Sequence, residues 1–307
     1  TTPDTWPRVV RALVEMPFQV AASLRLLRRF RPDVLFSTGG FVSLPATIAA
    51  IFRRTPIVIF LPDVSPGLTV RLTSHFATSM AVVDEATRDS LPSNRSIQVT
   101  GYPVRPVFRT LTRDAARERL GLSRGDKLLL VMGGSLGARS INQALAQHLS
   151  ELLEAANVYH ITGTTNLSAA EAAAEHLPPK LRQRYRLVAS LGAEDIAAAM
   201  LAADLAVTRA GASILGELPA AALPAIVVPL PAPRVKQDEN ARALCAHGGC
   251  VVVEDYELDR SLVPLVTGLL FDSDRLSQMS TAMAAQARPE AAQDIGRLIL
   301  QAAEAAS

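Results

Sequence analysis

The sequence predicts a doubly wound α/β protein, and three observations carry that prediction. Short apolar runs alternate with alanine- and leucine-rich helical stretches along almost the whole chain. Several of those runs are solid rather than alternating, as in parallel strands covered on both faces. At 307 residues, with 49% hydrophobic and 20% charged side chains, the chain exceeds one small core and suits two domains.

The elements follow in order. Strands are expected at Val34–Ser37, Ile57–Phe60, Met80–Val83 and Ile97–Thr100, then at Leu128–Met132, Val158–Ile161, Arg186–Val188, Leu205–Thr208, Ala225–Val228 and Cys250–Val253. Helices are expected at Arg8–Phe30, Ser43–Phe52, Gly67–Ala77, Arg113–Leu120, Gly137–Ala155, Ala169–Arg184, Ala193–Ala203, Ala212–Ala222, Asp238–Ala246 and Ser261–Phe271. Pro103, Pro106 and charged residues interrupt the pattern in Gly101–Arg113. The expected domains are therefore 1–107 and 108–285, with the alanine-rich helix of 286–307 returning to the first.

Composition excludes several classes. Lys+Arg 31 against Asp+Glu 29 gives a net charge of +2, which argues against a global polyanion binder such as a nucleic-acid protein and leaves room for local basic patches. Two cysteines, Cys245 and Cys250, are too few for a disulfide framework and read as thiols in a reducing compartment. The least interrupted apolar segment, Val9 to Leu27, is broken by Arg11, Glu15, Pro17, Gln19 and Arg25, so it reads neither as a membrane span nor as a signal peptide. The chain begins at Thr1 inside a helical pattern, and an N-terminal segment is expected to precede it.

Three strand–turn–helix edges carry the chemistry. Leu128–Met132 runs into GGSLGA at Gly133–Ala138, where glycines let the backbone approach a ligand and a helix start attracts phosphate. As a dinucleotide fingerprint this turn lacks an acidic residue at the end of the next strand, Val158-Tyr-His-Ile-Thr-Gly163. It also fits the G-x-S-x-G elbow of a serine hydrolase, in which Ser135 would be served by Asp204 and His247. The second edge, Ala203 to Glu217, places Glu217 on an otherwise apolar helix, where a carboxylate facing a ligand grips a ribose diol. The third is the proline-stiffened stretch Pro229 to Arg242, with Gln237 and Asn240 placed to bond a neutral polar ligand. The single D-x-D, Asp272-Ser-Asp274, lies between two helices and reads as a cap rather than a metal site.

Together these segments resemble the MurG-type glycosyltransferases of peptidoglycan synthesis. The family's GGSxGA turn, R-x-G-A-x-x-x-x-E helix start and Q-x-x-N-A loop correspond to Gly133–Ala138, Arg209–Glu217 and Gln237–Ala241. Earlier in the chain, Ser37 to Pro45 looks like its GGYVSGP turn, Pro66 to Thr69 like its IPGLTN segment, and Thr100 to Arg105 like its TGNPVR. Six motifs thus occur in family order over roughly residues 31–255.

The resemblance implies a GT-B fold, two Rossmann-like parallel-sheet domains facing a cleft, the N-terminal one incomplete. It implies inverting transfer of N-acetylglucosamine from UDP-N-acetylglucosamine to a lipid-linked diphospho-muramyl-pentapeptide acceptor at the cytoplasmic face of the cell membrane. A catalytically impaired relative that still binds UDP-sugar, or that acts on another lipid acceptor, is the alternative. By residue, Gly134, Ser135 and Gly137 would hold the diphosphate with Arg105 as counter-charge. Ala212 and Ser213 would open the helix whose Glu217 takes the ribose hydroxyls; Gln237 and Asn240 would face the donor, and the backbone near Ala193 would read uracil. Gly39, Gly40 and Ser43 would face the acceptor's diphosphate. No cofactor or metal is implied, since amides and helix dipoles stabilise leaving UDP.

Two departures stand out. The family's first strand and its glycine-rich loop ending in His have no counterpart from Thr1 onward, and its H-E-Q-N reads Phe60-Leu-Pro-Asp63 here. Asp63 is then the carboxylate left to serve as base, and a chain with the N-terminal segment is expected to turn over faster. In Arg8–Phe30, Val10, Leu13, Val14, Phe18 and Leu24 share an apolar face with Trp6 near its start, and Arg25, Arg28, Arg29, Arg31, Arg53 and Arg54 make a basic side. That is the character of a helix docking on anionic lipid.

Overall fold

A computed structural model describes residues 5–133, 138–232 and 236–305, with side chains from Glu15 onward. Its strands are β1 (Leu35–Ser37), β2 (Ile57–Leu61), β3 (Ser79–Val82), β4 (Ser96–Val99), β5 (Leu128–Met132), β6 (Asn157–Ile161), β7 (Tyr185–Val188), β8 (Leu205–Thr208), β9 (Ala225–Val227) and β10 (Cys250–Val252). All pair in parallel, in two sheets ordered β1-β2-β3-β4 and β10-β9-β8-β5-β6-β7. The chain divides into two compact units, Thr1–Gly101 with Glu290–Ser307, and Tyr102–Pro289. The segment from Tyr102 to Val107 therefore belongs with the second unit, and Arg105 with it.

In the second unit the chain steps outward from β5 to β6 and β7, returns to β8 beside β5, and steps outward again to β9 and β10. The reversal lies between β5 and β8, and open α/β sheets bind ligands outside the carboxyl ends of strands at such a point. The β5 run is buried throughout because helices cover both faces. Leu129 and Val131 face Ile141, Leu145, Leu152 and Val266; Leu128, Leu130 and Met132 face the alanine-rich helix Ala193–Ala202. Ala197, Ala198, Ala199 and Ala202 are almost fully buried, so short side chains let that helix seat close to the sheet.

In the first unit, Ile57, Ile59, Leu61, Met80 and Val82 form the core. The final helix, Ala291–Glu304, packs on β2 and β3, burying Ala291, Ile295, Leu298 and Ala302 at helical spacing. The helix Thr5–Phe30 lies on Leu44–Arg53 and buries Leu27.

Several expected helices are shorter or divided. The stretch after β5 forms Arg139–Gln147 and Leu149–Ala155, and that after β6 forms Leu167–Glu175 and Pro179–Arg182, broken where Pro178 and Pro179 remove backbone donors. Asp272 is a cap: its Oδ1 accepts from Arg275 N at 2.9 Å at the start of Ser273–Ala284. The two cysteines correct the sequence reading. Cys245 ends the helix Gln237–Cys245 and Cys250 begins β10, with Cα atoms 4.8 Å apart, and the two form a disulfide rather than remaining thiols.

Candidate donor site at the carboxyl edge of the second sheet

The segments after β5, β8 and β9 leave the carboxyl ends of adjacent strands. Gly134, Ser135 and Gly137, in the turn after β5, lie outside the described residues. After β8, Ala212 and Ser213 are half-buried and Ser213 opens the helix Ile214–Ala220.

Glu217, on that helix, is 9% exposed and accepts a hydrogen bond from Arg105 Nη1 at 3.0 Å. Gly216 makes this pairing possible. A Cβ there would stand 2.7 Å from the Tyr102 carbonyl oxygen and 2.9 Å from Val104 Cγ1, so only glycine lets the Tyr102–Val104 backbone lie against the helix. Arg105 also borders a cavity of about 540 Å³ whose lining includes Val107, Arg119, Ala193 and Glu194. The structure thus brings three expected donor residues, Arg105, Glu217 and Ala193, to one region through a single arginine.

Gln237 and Asn240 part company. Gln237 is half-buried, and its Oε1 accepts from Leu230 N at 2.9 Å, bracing the proline-rich loop. Asn240 is completely buried and donates through Nδ2 to the Ala210 carbonyl at 3.1 Å. One turn further along the helix than Gln237, its side chain points inward and holds the segment after β8.

Sequence reasoning assigned no role to Arg209, Ser140 or Asp255. Arg209, 7% exposed, donates to Asp255 Oδ1 at 2.5 Å, Ser140 Oγ at 2.6 Å, and the Val228 and Pro229 carbonyls at 3.2 and 3.1 Å. Ser140 Oγ in turn donates to Asp255 Oδ1 at 2.6 Å. Arg209 sits inside the quoted R-x-G-A motif, but Asp255 lies 46 residues away, with no pattern linking the two.

The serine hydrolase reading fails on position. Asp204 Oδ2 accepts from Leu128 N at 2.7 Å and Oδ1 pairs with Arg113 at 2.8 Å, at the amino ends of β5 and β8. Ser135 follows the carboxyl end of β5, so Asp204 belongs to the opposite edge of the sheet.

A buried polar chain lies beside β6. His160 bonds Asn142 Oδ1 through Nε2 at 2.9 Å and Tyr185 Oη through Nδ1 at 2.7 Å. Burial lowers the His160 pKa to about 4 and raises that of Tyr185.

In the first unit, Gly39 and Gly40 follow β1 with φ of +81° and +83°. A Cβ on Gly39 would meet Val70 Cγ2 at 2.5 Å, so this turn lies against the helix Leu68–Thr73. Ser43 Oγ donates to the Gly39 and Gly40 carbonyls at 3.0 and 2.9 Å, holding the turn's shape. Asp63 is half-buried just beyond β2.

Residues 128–295 match the glycosyltransferase family 28 C-terminal domain, and residues 4–82 match the glycosyltransferase family 28 N-terminal domain. The chain belongs to glycosyltransferase family 28. It is 38% identical to the UDP-N-acetylglucosamine–N-acetylmuramyl-(pentapeptide) pyrophosphoryl-undecaprenol N-acetylglucosamine transferase of Roseiflexus sp. (strain RS-1), over 95% of this chain and 74% of that one. The protein of the same description from Desulforudis audaxviator (strain MP104C) is 36% identical over 94% of this chain and 79% of its own. Among solved structures, Acinetobacter baumannii MurG superposes with a TM-score of 0.74 at 24% identity, covering 92% of this chain and 77% of that chain. The family 28 fold is therefore a GT-B arrangement of two parallel α/β sheets, as the sequence motifs led one to expect.

Proposed function

We propose that this chain transfers N-acetylglucosamine from UDP-N-acetylglucosamine to a lipid-linked diphospho-muramyl-pentapeptide, with inversion at the anomeric carbon. The carrying observation is the Arg105–Glu217 pair at the carboxyl edge beside the strand-order reversal, in a family 28 chain. Glu217 takes the ribose hydroxyls and Arg105 turns to the diphosphate. Ser135 with the amides of Gly134 and Gly137 holds the same diphosphate, Gln237 faces the sugar, and the backbone at Ala193 reads the base. The acceptor hydroxyl attacks the anomeric carbon, the bond to the diphosphate breaks, and UDP leaves with the electron pair. Asp63 receives the hydroxyl proton, and the turn of Gly39, Gly40 and Ser43 holds the acceptor's diphosphate.

The first unit docks on anionic lipid at the cytoplasmic membrane surface. Phe18, Leu26, Phe30 and Phe52 are 76%, 65%, 77% and 71% exposed, among exposed Arg25, Arg28, Arg29, Arg31, Arg53 and Arg54. Leu24, expected on this face, is instead turned toward the core. The side chains of Trp6, Val10, Leu13 and Val14 lie outside the described residues. Among the described residues, no helix is long and apolar enough to cross a membrane.

Transfer of labelled N-acetylglucosamine to a lipid-linked acceptor, with calorimetry of UDP and NAD binding, tests the reading. Glu217→Ala should weaken UDP binding by about 1–3 kcal/mol, the range for a hydrogen bond to a charged group. Asp63→Asn should lower turnover by about 10²–10⁴-fold with UDP affinity unchanged, as for loss of a general base. Tighter binding of NAD than of UDP would reject it.

A further inference from the structure

We propose that Arg209, Asp255 and Ser140 act as a positioning clamp for the donor site, with the Asp255 carboxylate setting its geometry; the proposal rests on the donor reading above. The clamp joins four strand ends. Arg209 itself directly follows β8 and leads into the segment that carries Ser213 and Glu217. Ser140 stands in the first turn of the helix Arg139–Gln147, directly after the glycine-rich turn. Val228 and Pro229 directly follow β9 and open the loop that Gln237 braces. Asp255 follows β10. One guanidinium thus ties together the helix Arg139–Gln147, the segment that leads to Glu217 and the start of the loop that Gln237 braces.

The chemistry favours a fixed arrangement. Five guanidinium donors in a rigid fork bond only acceptors held in matching directions. A buried cation that loses its carboxylate pulls on its remaining partners, here Ser140 Oγ and two loop carbonyls. Arg209 Nε is buried without a partner among the described residues, so the fork is held by its two terminal nitrogens alone. A second buried arginine provides a contrast at the amino edge of the same sheet. Arg117, also 7% exposed, donates to the Ala202, Ser123 and Asp126 carbonyls and lies 3.6 Å from Asp204. It bonds the carboxyl end of the helix Ala193–Ala202 and the loop before β5, at the edge of the sheet opposite Glu217 and Arg209, and loss of its partner Asp204 should cost stability.

The test compares Asp255→Asn, Ser140→Ala and Asp204→Asn with the unaltered protein. Melting temperature, UDP affinity, and kcat and KM for UDP-N-acetylglucosamine are measured, with amide hydrogen exchange over residues 138–147. Asp255→Asn should raise the UDP Kd and the donor KM about tenfold or more, with kcat at saturating donor within about threefold, the pattern of lost positioning. Exchange over 138–147 should quicken even without UDP. Ser140→Ala, which keeps the ion pair and so should fold, is expected to raise the Kd about threefold. Asp204→Asn should lower the melting temperature and leave KM unchanged. Asp255→Asn or Ser140→Ala binding UDP as tightly as the unaltered protein would overturn the clamp alone. Failure of the unaltered protein to bind UDP would overturn the donor reading and the clamp with it.

Discussion

His160 sits in a hydrogen-bond chain that a neutral imidazole completes, with every donor matched to an acceptor. Asn142 Nδ2 donates to the Thr162 carbonyl at 2.9 Å, so its Oδ1 accepts from His160 Nε2–H, and Nδ1 accepts the Tyr185 hydroxyl proton. Burial lowers the imidazole pKa to about 4, against an ordinary 6.5. Above pH 6.5 the ring is neutral both folded and unfolded, and stability is unaffected. As pH falls toward 4 the unfolded chain binds a proton that the folded chain refuses, and stability declines. At about 1.4 kcal/mol per pKa unit the loss reaches about 3 kcal/mol. Urea unfolding from pH 7 to 4 should show that extra decline in the unaltered protein and not in His160→Gln; parallel curves would sink it. At this scale legibility follows burial. Glu217 and Arg105 are readable because their motifs place them. Asn240 is less so: a polar residue three positions after Gln237 gives no sign in the sequence that its side chain is buried against the segment after β8.

At the scale of elements, the helix Ile214–Ala220 shows how backbone spacing builds a site. Gly216 is where the helix and the Tyr102–Val104 segment touch, and Glu217 and Arg105 are the next residues along each. Gly216→Ala inserts a methyl group against a backbone oxygen, which cannot rotate away, and overpacking of this kind typically costs about 1–3 kcal/mol. The expected result is a lower melting temperature together with severalfold weaker UDP binding, since the segments must separate and the pair with them. Unchanged UDP affinity would mean that the Arg105–Glu217 spacing does not matter to the ligand. β4 (SIQV) and β7 (YRLV) are partly exposed and were placed by the alternation with helices, whereas the central strands were legible because doubly covered strands are written as solid apolar runs. Helix interruptions were less so: Pro178 and Pro179 announce one break, but nothing in the sequence marks the break at His148. The disulfide was illegible because pairing depends on where a helix end meets a strand start.

At the scale of the whole molecule, the sequence does not reveal strand order; alternation predicts parallel sheets, while the reversal between β5 and β8 is a property of the folded chain. Nor does it separate the two faces of Thr5–Phe30, where Leu24 and Leu27 turn inward while Phe18, Leu26 and Phe30 stay exposed. That division bears on membrane docking. Exposed phenylalanines supply apolar area worth about 1.5–3 kcal/mol each if fully buried. Each arginine near an anionic surface adds about 1 kcal/mol, and the gain is screened by salt. Neither contribution anchors a protein firmly alone, but six arginines beside four apolar side chains combine them. Co-sedimentation should therefore show binding to vesicles containing phosphatidylglycerol, little binding to phosphatidylcholine vesicles, and weakening as salt rises. Phe18→Ser with Phe30→Ser should weaken binding at least tenfold, because the apolar contribution of two side chains exceeds 1.4 kcal/mol. Leu24→Ala should act instead through stability, since that side chain packs on the first unit's core. Equal binding to neutral and anionic vesicles, or full binding by the double variant, would move the docking surface elsewhere on the molecule.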